Sequence, residues 1–396
     1  MTSQGMSTDR DRIELVDALR GFALFGILLA NILYWSGWVL VTDAERLAMA
    51  DAAGQRWQYR FNHLFVDGKF YTLFSLLFGA GFAIQLDRLT KRGADGLRIY
   101  RRRVLVLLAI GLIHSLLIWD GDILMLYALM GLILPVFHGM NGRVLLIWAV
   151  VLIFAVPATG TALFQMLDWH PERYLYGVSD AILDAFGVRP GPDIALRLLP
   201  HADLGDVAVW NLSGTAFSWG LRIESWRIPK VLGIMLLGIW VGRRLVAGSL
   251  LENRKRLWQL FLVGVTIGLP FSLAYAALPD QRQTSVPSLF GTVPLAIGYA
   301  AGFALAWPHA RKFLGLFTAP GRMALTNYLL HSILGAIIFY GIGLGLIGRL
   351  SPPAFYAIAI AIFGTQVLLS RWWLAHHAQG PLEALWRRLT YGRQVS

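Results

Sequence analysis

The chain contains no cysteine, which excludes disulfides, iron–sulfur clusters and thiol catalysis. Charge is scarce as well. Asp, Glu, Lys and Arg make up 15% of the 396 residues, against roughly 25% in an average soluble domain. The acidic sign is the scarcer one, 23 residues against 35 Lys and Arg, for a net charge of +12. Familiar catalytic signatures are missing too. There is no His-Glu-x-x-His, no spaced histidine pair within one helix, no P-loop, no Gly-x-Ser-x-Gly elbow and no dinucleotide fingerprint. The expectation is therefore no bound metal. Internal duplication is absent as well. The likeness of Ile113-His114-Ser115-Leu116 to Leu330-His331-Ser332-Ile333 is too short to indicate a repeat.

What the chain has in quantity is apolar length. Hydrophobic residues make up 56% of it. They fall into about ten runs, near 15–37, 66–86, 102–119, 122–138, 144–166, 228–247, 257–278, 287–307, 323–347 and 353–377. A helix needs about 20 such residues to cross the hydrocarbon core. In lipid, backbone polar groups must be satisfied internally, so only helices or a closed barrel can span. Barrel strands alternate and these runs do not. The expected fold is an all-α, polytopic transmembrane helical bundle of about ten spans, with the lipid bilayer as its principal partner. The first run is too long for a signal peptide and lacks a small-residue cleavage site, so it reads as an uncleaved anchor.

Basic residues set the orientation. Clusters at Arg88–Arg103, Arg243–Arg256, Arg311–Arg322 and Arg387–Arg393 sit on alternate loops, which places both termini in the cytoplasm. The same placement argues against a nucleic-acid partner, because the positive charge lies at membrane edges and not on a soluble face. Four regions follow: a cytoplasmic tail (1–14), a five-helix membrane half (15–166), an outer segment with interfacial helices (167–227) and a second membrane half (228–396). A second copy of the chain is an admissible partner.

Ionisable residues inside such runs are costly, and each becomes a site candidate. Asp17 and Arg20 are three apart on one face and can pair. Arg20 then either fixes the depth of the first helix or holds a phosphate or carboxylate at the cytoplasmic end. Gly21 beside them admits a close neighbouring backbone. Asn31 lies further along and reads as a packing hydrogen bond or a cavity residue. His114 is about 9 Å along the helix axis from Asp120 at 1.5 Å per residue. A carboxylate from Asp120 or Asp122 can orient its imidazole as a general base, while Asp122 alternatively caps the following helix. At the mouth of the second run stand His63, Asp67 and Lys69, the lysine expected to reach for water. In the ninth run Asn327 and His331 share a face. The glycines at 341, 343 and 345 read as a helix-packing repeat.

These residues carry a family likeness. The chain resembles the YeiB-like family of bacterial inner-membrane proteins, which end in a domain of unknown function, from about Arg12 to Arg393. The shared motifs are Asp17-x-x-Arg20-Gly21, Lys69-Phe70-x-x-Leu73-Phe74-x-x-Leu77-Phe78-Gly79, Gly111-x-x-His114 with Trp119-Asp120-Gly121-Asp122, Gly321-Arg322-Met323-Ala324-Leu325-Thr326-Asn327-Tyr328, and Gly380-Pro381-Leu382-Glu383-x-x-Trp386-Arg387. More distantly, the first runs are similar to transmembrane acyltransferases of the heparan glucosaminide acetyltransferase type. That resemblance implies an acyl group taken from cytoplasmic acyl-CoA and delivered to a glycan or lipid acceptor across the inner membrane. It sets His63, with Asp67, where those enzymes carry a histidine before an acidic second span. Joined to the residue reading, Arg20 with Arg101–Arg103 is expected on the donor's phosphates, and His114, oriented by Asp120 or Asp122, or else His63, as the base. The chain departs from those enzymes in lacking their Trp-x-Gly pattern before His63 and in carrying Asn31 where others have histidine. A transporter or lipid-binding protein without catalysis is the alternative.

Overall fold

The computed structural model describes residues 9–93, 95–248, 250–278 and 282–392, with side chains from Ile13 onward. Most of the N-terminal tail and Arg393 therefore lie outside the described residues. The described chain is helical and contains no strand.

Helix α1 (Asp9–Trp35) is followed by α2 (Asp43–Met49) and α3 (Ala52–Phe61), which passes through a π-helical turn (Asn62–Val66) into α4 (Lys69–Lys91). Then come α5 (Gly96–Leu117), α6 (Leu124–Ile133), and α7 (Gly142–Val150) joined by a second π-helical turn to α8 (Val156–Met166). Next are α9 (Glu172–Ala185), α10 (Ile194–Leu198), α11 (Leu204–Glu224), α12 (Arg227–Val246), α13 (Arg254–Ala277) and α14 (Val286–Leu314). The chain closes with α15 (Thr318–Arg322), α16 (Ala324–Phe339), α17 (Pro352–His376) and α18 (Pro381–Tyr391).

Among the described residues five helical stretches are long and apolar enough to cross a membrane: 52–91, 142–166, 254–277, 286–322 and 352–376. Large apolar side chains such as Leu105, Ile147, Leu262, Leu368 and Trp372 stay exposed on the outside of the bundle. A soluble protein does not display apolar surface on that scale, whereas lipid covers it. The chain is a membrane protein.

Each apolar run read from the sequence falls on a helix. The boundaries shift by several residues at most runs, and two of the differences have a clear local cause. α16 stops at Phe339, short of residue 347, because the glycines at 341–345 fold back. Leu344 and Ile347 donate their N–H groups to the carbonyls of Ile337 and Phe339, and Gly345 is left-handed at φ +61°. The glycine run is a turn, not a helix-packing repeat. α6 ends at Ile133 and tightens into a 3₁₀ turn around Pro135, which has no N–H to offer a regular helix. The segment 167–227 is largely helical, and α11 packs on α9 and along the last turns of α5, where Ser115 and Thr215 hydroxyls meet at 2.8 Å.

Two close approaches lock the halves together. A Cβ on Gly21 would lie 2.0 Å from the Phe317 carbonyl oxygen, and one on Gly321 would lie 1.8 Å from that of Asp17. α4 and α12 run side by side in the same way, since a Cβ on Gly79 would lie 2.0 Å from the Met235 oxygen. Only glycine permits such contact between helix backbones. α18 closes one end. Glu383 accepts the N–H groups of Leu325 (2.7 Å) and Thr326 (3.1 Å), supplying the first turn of α16 with the acceptors it lacks. The Trp386 indole donates to the Arg103 carbonyl at 2.8 Å, and the Arg103 guanidinium lies 4.1 Å over its ring.

Candidate functional site

At the end of the bundle opposite Arg20 lies a cavity of about 520 Å³. Its wall is built from the last turns of α1, the π-helical turn before α4, the α5–α6 turn, the end of α8, and the joint between α11 and α12. Two backbone features shape it. The π-helical turn at 62–66 carries an extra residue that helix periodicity does not accommodate, as is common at functional sites. The α11–α12 joint is made by Trp226 in a left-handed conformation (φ +54°), its ring packed against Gly160 and 4.9 Å from Phe164. A non-glycine residue in that region costs about 1–2 kcal/mol, so the surrounding packing must hold it there.

His63 lines this cavity. Its Nδ1 lies 2.9 Å from the Tyr59 carbonyl oxygen. A carbonyl can only accept, so Nδ1 carries the proton and Nε2 of the neutral ring is left as an acceptor. The ring is held between Tyr59 (3.9 Å) and Tyr275 (4.5 Å). Asp67 accepts from the Tyr275 hydroxyl at 2.7 Å and from the Gln283 amide at 2.8 Å. Lys69 does not reach for water as expected. It is fully buried and donates to the His63 carbonyl, with the Tyr275 ring 5.7 Å away. The reason is local: α4 begins at Lys69, Gly68 before it offers no side-chain cap, and the ammonium finds its acceptor in the preceding π-helical turn.

His114 lies behind the cavity wall, entirely buried. Its Nδ1 is 2.8 Å from Asp122 Oδ1 and its Nε2 is 2.9 Å from the Ser332 hydroxyl. Asp122 is buried as well, and its second oxygen accepts the Met125 N–H at 2.6 Å. Asp122 thus orients His114 and caps α6 at once. Asp120 packs against Gly214 on α11, and both His114 ring nitrogens are taken by other groups. Serine, histidine and aspartate here form a sealed chain tying α5, α6 and α16 together.

The remaining sequence candidates divide between the two ends. Asn31 lines the cavity. Asp17 and Arg20 pair at 2.7 Å at the far end, part-exposed, with Arg20 also 3.5 Å from the Gly321 carbonyl. Phe22 lies between, packed on Phe70, Phe303 and Phe317 with ring centroids 5.3–5.6 Å apart. Asn327 and His331 belong to a separate buried network with α17, in which His331 Nδ1 has no partner among the described residues. Asn327 donates to Ser370 (3.0 Å), His331 Nε2 meets Gln366 Oε1 (2.6 Å), and Gln366 donates to the Asn327 carbonyl (3.1 Å).

The most telling wall residues were not singled out from sequence. Arg222 is buried, donates to the Asp122 carbonyl and sits 5.0 Å over the Trp219 ring. Arg227 donates to Gln283 Oε1 at 2.8 Å and sits 5.2 Å over the Tyr71 ring. Arg222 Nη1 and Arg227 Nε have no partner among the described residues, nor do Asn62 Oδ1 and Thr161 Oγ1. A signal was present. Arg222, Arg227 and Lys230 lead from an aromatic stretch directly into an apolar run, and Lys230 stands inside the run itself. The site therefore offers a proton acceptor, two pinned cations and unfilled hydrogen-bonding capacity in one concavity. Among the described residues no three His, Asp or Glu side chains converge as metal ligands.

Residues 241–393 match a family described as "Protein of unknown function (DUF418)". Over nearly its whole length the chain is similar to three curated proteins. It is 31% identical to the uncharacterized protein YxaH of Bacillus subtilis, covering 99% of this chain and 97% of that one. It is 30% identical to the uncharacterized protein YeiB of Escherichia coli, with 96% of each covered. It is also 30% identical to an uncharacterized 39.9 kDa protein of Bacillus acidopullulyticus, covering 97% and 95%.

Proposed function

The chain belongs to the YeiB-like family, and from that premise we propose a membrane acyltransferase. It crosses the bacterial inner membrane ten times, keeps both termini in the cytoplasm and opens its cavity on the outer face. The observation that carries this reading is His63, whose Nδ1 is occupied by a backbone carbonyl while Nε2 remains available at a cavity of about 520 Å³. A histidine so held acts as a general base. An acceptor hydroxyl or amine gives its proton to Nε2 as it attacks the thioester carbonyl of acyl-CoA. The carbon–sulfur bond breaks, the acyl group joins the acceptor, and CoA leaves as the thiol with the proton returned by His63. Arg20, with the exposed Arg101 and Arg102, meets the donor's phosphates at the cytoplasmic end. Arg103 is engaged with Trp386 instead. The acyl arm enters past the Phe22, Phe70, Phe303 and Phe317 rings. His114, clamped by Asp122 and Ser332, positions the wall.

The test is release of CoA by protein in lipid nanodiscs, across a series of acyl-CoA chain lengths and acceptors. A thiol reagent reads CoA alone, because the protein has no cysteine. Acceptor-dependent release that disappears in a folded His63→Ala variant is expected. Protein that neither binds nor turns over any acyl-CoA overturns the reading.

One observation favours a second reading. Phe22, Phe70, Phe303 and Phe317 pack on one another between Arg20 and the cavity, an arrangement that suits an inner gate on a transport path. Gradient-driven uptake into proteoliposomes that persists in His63→Ala would select transport.

A further inference from the structure

We propose that the cavity holds an anionic, hydroxyl-bearing molecule, its phosphate or carboxylate clamped between Arg222 and Arg227. This rests on reading the cavity as the acceptor site and names the acceptor's chemical class.

Every carboxylate in the wall is engaged. Asp67 accepts from Tyr275 and Gln283, and Asp122 from His114 and Met125. Glu172 meets His170 at 3.1 Å. Glu224 accepts from Tyr176 at 2.7 Å and pairs with Arg282 at 3.3 Å. The two arginines are the reverse. Their hydrogen bonds go to a backbone carbonyl and a side-chain amide, both neutral, and Arg222 Nη1 and Arg227 Nε reach no partner at all. Buried donors on cations are the costliest groups to leave unmatched. The carboxylates of the wall are all engaged elsewhere while Arg222 Nη1 and Arg227 Nε are not, so the component that these two cations lack is an anion.

Preorganisation points the same way. Each guanidinium sits over an aromatic ring, Arg222 5.0 Å from Trp219 and Arg227 5.2 Å from Tyr71, which restricts its donor fork before any ligand arrives. The N-termini of α4 and α12 both open on the cavity at Gly68 and Trp226, and neither has a side-chain cap. Uncapped helix N-termini favour anions. The hydroxyl part of the proposal comes from Asn62 Oδ1, an unpartnered acceptor, and Thr161 Oγ1, an unpartnered hydroxyl, in the same wall. Together they suit the hydroxyls of a polyol. The volume is that of a sugar-sized or headgroup-sized ligand.

The test is calorimetry on detergent-purified full-length protein with glycerol 3-phosphate, glucuronate, inorganic phosphate and glycerol as probes. An anionic polyol should bind saturably and glycerol should not. Arg227→Gln should weaken binding about tenfold or more, with Arg227→Lys intermediate. Native mass spectrometry after exposure to vesicles of phosphatidylglycerol or phosphatidylcholine identifies the source. Selective retention of phosphatidylglycerol, lost in Arg227→Gln, assigns a lipid headgroup, whereas binding of the water-soluble probes alone assigns a free anion. If no anion binds, or if Arg227→Gln binds as the wild type does while eluting as the same monodisperse species, the proposal is overturned. Should Arg227→Gln not fold, the contrast between glycerol 3-phosphate and glycerol on the wild-type protein decides. Acyl transfer to neutral acceptors with no anion bound removes this site and leaves the acyltransferase standing. Anion binding retained in His63→Ala, with no CoA released from any thioester, does the opposite.

Discussion

The two ends of the bundle treat positive charge in opposite ways. At the Arg20 end the cations are part-exposed and matched: Arg20 with Asp17, Arg311 with Glu14, Arg103 with the Trp386 ring. At the cavity end Arg222 is buried, Arg227 half-buried, and both are pinned by aromatic faces without a carboxylate partner. The same contrast separates two histidines on neighbouring elements. His114 has both ring nitrogens occupied and no exposure, while His63 has one occupied and faces open space. What marks a site inside a membrane protein is therefore not the presence of ionisable groups but their unfilled capacity. The closed set holds helices together and the open set is available to a ligand.

Breaking the closed set should be the most damaging change. Asp122→Ala removes the partner of His114 and the cap of α6 together. A loss of about 3–5 kcal/mol is expected, read as a large drop in melting temperature or in recovery of folded protein from membranes. His63→Ala should separate function from stability. Turnover should fall by about 10²–10⁴-fold, while the loss of stability stays near the ~1 kcal/mol of an ordinary point mutation, well below that of Asp122→Ala. Equal destabilisation by both changes would erase the distinction between the two histidines. Gly79→Val forces α4 from α12 and should cost about 1–3 kcal/mol, visible in the same melt. Glu383→Ala strips the first turn of α16 of its acceptor and should cost about 1–2 kcal/mol, with faster hydrogen exchange at Leu325 and Thr326. Arg20→Ala, at a half-exposed ion pair, should cost no more than about 1 kcal/mol. If its effect instead rivals that of Asp122→Ala, the two ends are not different in kind.

The helices were legible because apolar length is a property of the sequence alone, and every long apolar run became a helix. The early stop of α16 was not, because glycine at 341–345 serves a helix contact and a turn equally well until its neighbours are known. Of the candidate residues, Asn31, His63 and Asp122 meet at the cavity, whereas Asn327 and His331 close on α17 and Arg20 lies at the other end. Ser332 was visible only as one residue of a tetrapeptide with a chance-looking match at 113–116. Its hydrogen bond to His114 joins residues 218 apart in the chain, which no local pattern encodes. Arg222 and Arg227 escaped for a related reason. An arginine in a long connecting segment looks solvated, and only α11 packing along α5 brings Arg222 against the Asp122 carbonyl.

The helix from Arg227 to Val246 has one more consequence. The boundary at which the family of unknown function is recognised, residue 241, cuts through it. Residues 227–240, including Gly238 in its backbone contact with Leu76, belong to the same rod as the matched portion. The recognised unit is thus an evolutionary label and not a separable module. A polypeptide begun at 241 would lack the cavity-bearing start of that rod and the Gly238 contact with α4, keeping only the contact at Gly242. Split-gene complementation should succeed only with breaks placed in the link between this helix and the next, and fail at the family boundary.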